Sequence, residues 1–229
     1  MRQDDAPSTR RSMKLGRARD ARSCRAGLVS TLPAPASPRM VETAPRSLAV
    51  MSHFEPMASE LTTERLCLRP WRASDAGPYR LLWMERDRRS LRLIDAGGRP
   101  TVDDLRRQIL EQPADDTGLV LYAVERRGGP GFIGYCGLIV GGVGIEEPEI
   151  AFELAKSAHG HGYATEAARA VVEEAAAARR RRLWATVRAW NTPSFRVLDK
   201  LGFQPSGRIS PDPSRGDTVW MTKDLTENT

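Results

Sequence analysis

The chain is poor in the residues that hold metals and staple small folds. It carries three histidines and three cysteines in 229 residues. Cys24, Cys67 and Cys136 are odd in number and widely spaced, so they spell neither a disulfide framework nor a zinc site. His159 and His161 are not four apart, and no Cys or acid completes a metal set, so no metal is expected. Cys67 and Cys136 sit in apolar, strand-like runs, where a buried reduced thiol is expected; a reducing cytoplasm fits best. No stretch approaches about 20 uninterrupted apolar residues, so no membrane span is expected. Aromatic residues are missing from residues 1–53, and all five tryptophans lie beyond them.

That last absence divides the chain. Residues 1–56 are rich in Arg, Ser, Ala and Pro and cannot bury enough apolar surface to offset their ordering entropy. They read as a disordered basic extension, or as an artefact of start-site choice, since Met40, Met51 and Met57 precede the rest. An organelle transit peptide is disfavoured by Asp4, Asp5 and Asp20. Most of the net charge of +6 belongs to this segment: its ten Lys/Arg and five acids leave 25 basic and 24 acidic residues for 57–229, a balance of +1. A nucleic-acid face on the body is therefore not expected. With 40% apolar residues, the body has enough for a core and reads as a single domain over residues 57–229.

Along that body, Glu64–Leu68 alternates as a strand. Ser74 or Asp75 is placed to cap a helix reaching about Asp87, and Thr101 a second one to about Glu111. Arg86–Arg99 reads as a basic loop. Strands follow at Leu119–Val124, Phe132–Val140 and Ile150–Leu154, then a helix over Ala164–Ala178 and a strand at Leu183–Val187. Thr192–Pro193 opens a helix that ends at Gly202. Phe203–Gln204 and Thr218–Met221 read as a closing pair of strands, separated by a Pro- and Gly-rich Ser206–Gly216. Helices interspersed with consecutive strands imply an α+β or mixed α/β domain with a largely antiparallel sheet.

Chemistry concentrates where the apolar run Ile150–Leu154 passes through Gly160 and Gly162 into the third helix. A strand, a glycine turn and a helix N-terminus aim several backbone N–H groups at one spot, which suits a phosphate. A P-loop requires a lysine after the second glycine, and none is present. A dinucleotide fingerprint requires a third small residue where Thr165 stands. The remaining candidate is the pyrophosphate loop of acetyl-coenzyme A enzymes: His159–Ala164 (HGHGYA) fits its two small-residue positions but has His159 at the first. A glycine turn that merely permits tight packing is the bland alternative.

Three segments together resemble the GNAT superfamily of N-acetyltransferases, in the branch similar to the RimJ/RimL ribosomal-protein-alanine acetyltransferases. They are Thr63–Pro70 (TERLCLRP), Gly160–Ala167 (GHGYATEA) and Asn191–Phe203 (NTPSFRVLDKLGF), and the likeness spans about residues 62–225. The resemblance implies a GNAT-like acyl-CoA N-acyltransferase fold, a mostly antiparallel twisted sheet flanked by helices. It implies direct acetyl transfer from acetyl-CoA to a primary amine, on a protein N-terminus or a small molecule. Acetyl-CoA is then the cosubstrate. No metal is needed, neither membrane nor nucleic acid is an expected partner, and the protein is expected as a monomer or homodimer.

Roles follow residue by residue. The resemblance implies that His159, Gly160, His161, Gly162, Tyr163, Ala164 and Thr165 form the pyrophosphate loop, with Asn191 and Lys200 as further coenzyme contacts. Strand alternation places Glu149 and Glu153 on one face; Glu149 is the first choice for the base and Glu153 the second. The tyrosine that many members use as acid is replaced here by Leu198, so Ser194 is the candidate acid. Each has a bland reading: surface carboxylates for Glu149 and Glu153, a backbone-bonded hydroxyl for Ser194, a helix cap for Asn191. The Arg179–Arg182 run reads as a solvated helix end. A catalytically inactive acyl-CoA-binding or regulatory module of the same fold is the alternative. The acceptor itself has no motif.

Overall fold

The computed structural model describes residues 54–111, 117–129 and 131–226. Residues 1–53, and so most of the expected extension, lie outside them. Phe54–Pro56, at its edge, are tied to the body: the Glu55 N–H donates to the Ala178 carbonyl at 3.2 Å, and the Arg180 guanidinium lies over the Phe54 ring.

Eight strands form one sheet: β1 (Leu61–Thr62), β2 (Leu66–Arg69), β3 (Leu121–Arg126), β4 (Phe132–Ile139), β5 (Glu149–Leu154), β6 (Arg182–Arg188), β7 (Gln204–Ser210) and β8 (Thr218–Asp224). Their order is β1-β2-β3-β4-β5-β6-β8-β7, and every neighbouring pair is antiparallel except β5 with β6. The helices are α1 (Ala76–Met84), α2 (Val102–Leu110), α3 (Tyr163–Ala177) and α4 (Thr192–Lys200). The mixed, mostly antiparallel architecture expected from the element order is the one observed. No helix among the described residues is long and apolar enough to cross a membrane.

The sheet has two differently covered faces. Leu66, Leu68, Ile150, Leu154, Leu183 and Val187 pack with Val171 of α3 and Leu198 of α4. On the opposite face Tyr79, Leu82 and Trp83 of α1 and Leu105 of α2 pack with Trp71, Phe132 and Tyr135. Alternation then fixes the rest. With Ile150 and Leu154 against α3, Glu149 and Glu153 turn to the α1/α2 face; with Leu183 and Val187 buried, so do Trp184, Thr186 and Arg188.

Local chemistry explains the helix ends. Thr101 and Asp104 form a reciprocal capping box (3.1 and 2.9 Å), as its position suggested. Asp75 does not cap α1. Its carboxylate instead takes a bidentate bond from buried Arg69 (2.8 and 2.9 Å) and the Arg72 N–H. Glu125 holds the third side of the same guanidinium at 2.6 Å. These contacts, the Asp75 bond foremost, keep Arg69 firmly charged although burial opposes it.

Two sequence expectations change. β7 runs to Ser210, through the segment taken for a loop, because it is the outermost strand and its ladder is interrupted between Pro205 and Ile209. Proline is tolerated at such an edge, where one lost donor costs no central pairing. Arg180, in the run read as solvated, is buried; it donates to the carbonyls of Ile145 (2.8 Å) and Thr117 (3.1 Å), and burial lowers its pKa.

Candidate active site

β5 and β6 are parallel neighbours joined at a single residue pair, Glu149 with Trp184. Beyond it they share no further pairing, while each stays fully paired on its other side, β5 with β4 and β6 with β8. The sheet therefore opens a gap in its middle. The Trp184 N–H donates to the Pro148 carbonyl at 2.9 Å, so alternation turns the peptide groups of Ile150, Phe152 and Leu154 toward the gap. Those of Phe152 and Leu154 have no strand partner across it. Such a slot offers donors and acceptors to an extended ligand.

At the C-terminal end of β5 the chain turns through Gly160 (φ 78°) and Gly162 (φ 80°) into α3. Both are in the left-handed region that a side chain disfavours. Gly162 is the N-cap and has no side chain to bond the first turn. The first intrahelical bond is Glu166 N–H to the Gly162 carbonyl at 3.0 Å. The N–H groups of Tyr163, Ala164 and Thr165 are thus left for an external acceptor at the positive end of a 15-residue helix. A Cβ at Gly160 would meet no heavy atom within 4 Å, so the approach is open. These features fit a pyrophosphate.

The loop is braced from outside. Glu166, in the first turn of α3, accepts from the Thr63 hydroxyl (2.6 Å), the Arg65 N–H (2.9 Å) and the Arg65 guanidinium (2.7 Å). Burial alone would raise its pKa, and these donors more than offset that. Arg65 also donates to the His161 carbonyl at 3.0 Å and lies over the Tyr163 ring. His161 stacks on Tyr163, and the His159 ring is bonded to the Leu154 carbonyl at 2.9 Å. The first two sequence segments are therefore physical partners: the TER of one holds the TE of the other.

The two carboxylates of β5 have different surroundings. Glu149 stands where the strands part. The Thr186 hydroxyl and N–H (3.1 Å) both donate to it, and a Cβ at Gly141 would lie 2.6 Å from its other oxygen. Burial raises its pKa, and the Thr186 bonds partly counter the rise. Glu153 is gripped by Arg86, whose Nε donates at 2.7 Å, and it accepts from the Tyr135 hydroxyl at 3.0 Å. Burial pushes the Tyr135 pKa far up, so it stays a neutral donor. Both Glu153 oxygens are engaged by one guanidinium.

Asn191 and Ser194 lie at the mouth of the gap on the β6 side. Asn191 is the N-cap of α4 and accepts from the Ser194 N–H at 3.4 Å, its bland role. The Ser194 hydroxyl makes no hydrogen bond to another described residue, so it is unspent. Lys200 is exposed in the last turn of α4, about 13 Å from Asn191 along the axis. The structure thus joins Glu149 to β6, keeps the loop residues contiguous, and sets Lys200 apart. Sequence reasoning missed Thr186, Arg86 and Tyr135; no motif marks them, since they meet β5 only through folding. Among the described residues no cluster of His, Cys, Asp or Glu could hold a metal ion.

The sequence pattern of the acetyltransferase (GNAT) domain matches residues 65–204. No curated protein matches the chain. Among solved structures, Mycobacterium smegmatis RimJ in complex with CoA-disulfide is similar, with a TM-score of 0.57 and 23% identity over 69% of this chain and 81% of that one. The structure of yncA from Salmonella typhimurium with its cofactor acetyl-CoA aligns at 0.54 and 16%, over 72% and 96%. Vibrio cholerae spermidine N-acetyltransferase SpeG aligns at 0.59 and 16%, over 72% and 96%. At these identities the likeness is one of fold.

Proposed function

Because the chain belongs to the GNAT acetyltransferase family, we propose that the gap between β5 and β6 binds acetyl-CoA and passes its acetyl group to a primary amine. One observation carries this reading: the strands part beside an uncapped, glycine-flanked helix N-terminus, so a slot for an extended arm leads to a cradle for its pyrophosphate. The family neighbour holding acetyl-CoA supports the choice of coenzyme.

When bound, the coenzyme supplies the acetyl group as a thioester. The chain's residues then have distinct tasks. The N–H groups of Tyr163, Ala164 and Thr165 bind phosphate oxygens, each such bond contributing about 1.5–3 kcal/mol. The peptide N–H of Phe152 or Leu154 polarises the acetyl carbonyl. Glu149 accepts the proton, directly or through water, that the amine loses as its nitrogen bonds the carbonyl carbon. The carbon–sulfur bond breaks, Ser194 donates a proton to the departing sulfur, and the proton taken up by Glu149 returns through water to restore the Ser194 hydroxyl. Glu153 positions Arg86 and is not the base in this scheme. The three matched segments, with Ser194 in place of a tyrosine, favour the ribosomal-protein branch.

The test is thiol release from acetyl-CoA with a panel of amines, with the acetylated amine identified by mass. Release with at least one amine is expected. Tight coenzyme binding with no product from any amine would make the protein an acyl-CoA-binding module instead.

A further inference from the structure

The acceptor side of the gap is crossed by a strap of arginines. Arg86 follows α1 and is anchored on β5 through Glu153, with its guanidinium over Trp83. Three residues later the Arg89 guanidinium lies over the ring of Trp190, next to Asn191 at the β6–α4 junction. The segment between them is a turn closed by the Ser90 N–H to the Asp87 carbonyl at 2.9 Å. The strap therefore spans from one lip of the gap to the other on the α1/α2 face, the face of Glu149.

The charges on that face are unevenly committed. Glu153 is held by Arg86, Asp87 by Arg89 at 2.8 Å, and Asp212 by Arg188 at 3.0 Å and Arg215 at 3.5 Å. Glu149 has no ion-pair partner among the described residues; Thr186 holds it instead. Arg88, in the middle of the strap, is exposed and has no ion-pair partner among the described residues. A polycationic amine entering here finds Glu153, Asp87 and Asp212 already paired and meets the unpaired Arg88 guanidinium. An amine that brings its own carboxylate finds that guanidinium available.

Resting on the acetyl-transfer reading, we infer that the Arg86–Arg89 strap walls the acceptor site and selects primary amines that carry a nearby carboxylate, with Arg88 as the specificity-determining residue. Two sources share this chemistry, a free amino acid and the N-terminus of an acidic chain.

The test compares kcat/KM at saturating acetyl-CoA for four acceptors: free aspartate, a peptide beginning Ala-Asp, the same peptide with Ala-Lys, and spermidine. Either acidic acceptor should lead both basic ones by about tenfold, the size of one favourable and one unfavourable exposed charge contact. Whichever acidic acceptor leads assigns the source. Arg88→Glu should erase that lead while coenzyme affinity stays unchanged. A lead by spermidine or the Lys peptide, or an undiminished acidic preference in Arg88→Glu, overturns the inference but leaves acetyl transfer standing. Failure to acetylate any of a broad amine panel overturns acetyl transfer itself, and the inference with it.

Discussion

Glu149 and Glu153 show how neighbours divide two identical side chains. They are four residues apart on one strand face, yet one is a partly desolvated acceptor bonded by a hydroxyl and the other is neutralised by a guanidinium. Their spacing was legible in the sequence; their partners were not, since Thr186 is 37 and Arg86 is 67 residues away. Burial raises the pKa of Glu149, which suits a base. The sign follows. A base works when deprotonated, so burial moves the acidic limb of the kcat/KM profile above the ordinary glutamate value of about 4.3. Glu149→Gln should lower turnover by about a hundredfold or more and abolish that limb, with coenzyme affinity kept. A pH–rate profile of both proteins checks this; an unchanged limb removes Glu149 from the role.

Elements were read well where their ends are set by near neighbours. Thr101 with Asp104, and Asn191 before Thr192–Pro193, are local signals, and α2 and α4 start where they say. Reading failed where the third dimension decides. Asp75 looked like a cap until Arg69 took its carboxylate, and Ser206–Gly216 looked like a loop until β7 proved to be an edge strand reaching Ser210. The third helix depends on both kinds of information. Its glycine start is local, but its first turn is held by Glu166 reaching back about a hundred residues to Thr63 and Arg65. Glu166→Ala should cost about 2 kcal/mol, the range for hydrogen bonds to a charged group. Because its folded pKa is depressed, that contribution is present above the ordinary glutamate pKa and is lost as pH falls through the folded value. Urea unfolding at neutral and acidic pH measures it: the wild-type advantage should shrink in acid. An advantage equal at both pH values would contradict the assignment.

At the scale of the molecule, a sheet with one unpaired seam makes the site. Antiparallel ladders on either side let β5 and β6 part without loss of the core, which packs on both faces. Buried Arg69 ties β2, β3 and the start of α1 together through Asp75 and Glu125. Arg69→Met should destabilise the protein by about 3–5 kcal/mol, because it strands a buried carboxylate. A thermal melt with a fall under about 3 °C would show the triad to be dispensable. The sheet order and the parting of its strands were not in the sequence, whose periodicity gives elements but not their neighbours; the family resemblance supplied the expected fold.

The loop from Gly160 to Thr165 is the proposed anion cradle for the coenzyme. Isothermal titration of acetyl-CoA into wild type and Gly162→Val tests it most directly. A β-branched residue at φ 80° costs about 1–2 kcal/mol and turns the N–H groups of the first turn away from the phosphates. Wild type should bind, and Gly162→Val should lose at least about a hundredfold in affinity, the worth of one or two charge-assisted bonds, while remaining folded by circular dichroism. Equal affinity in the two proteins would contradict the assignment of the loop.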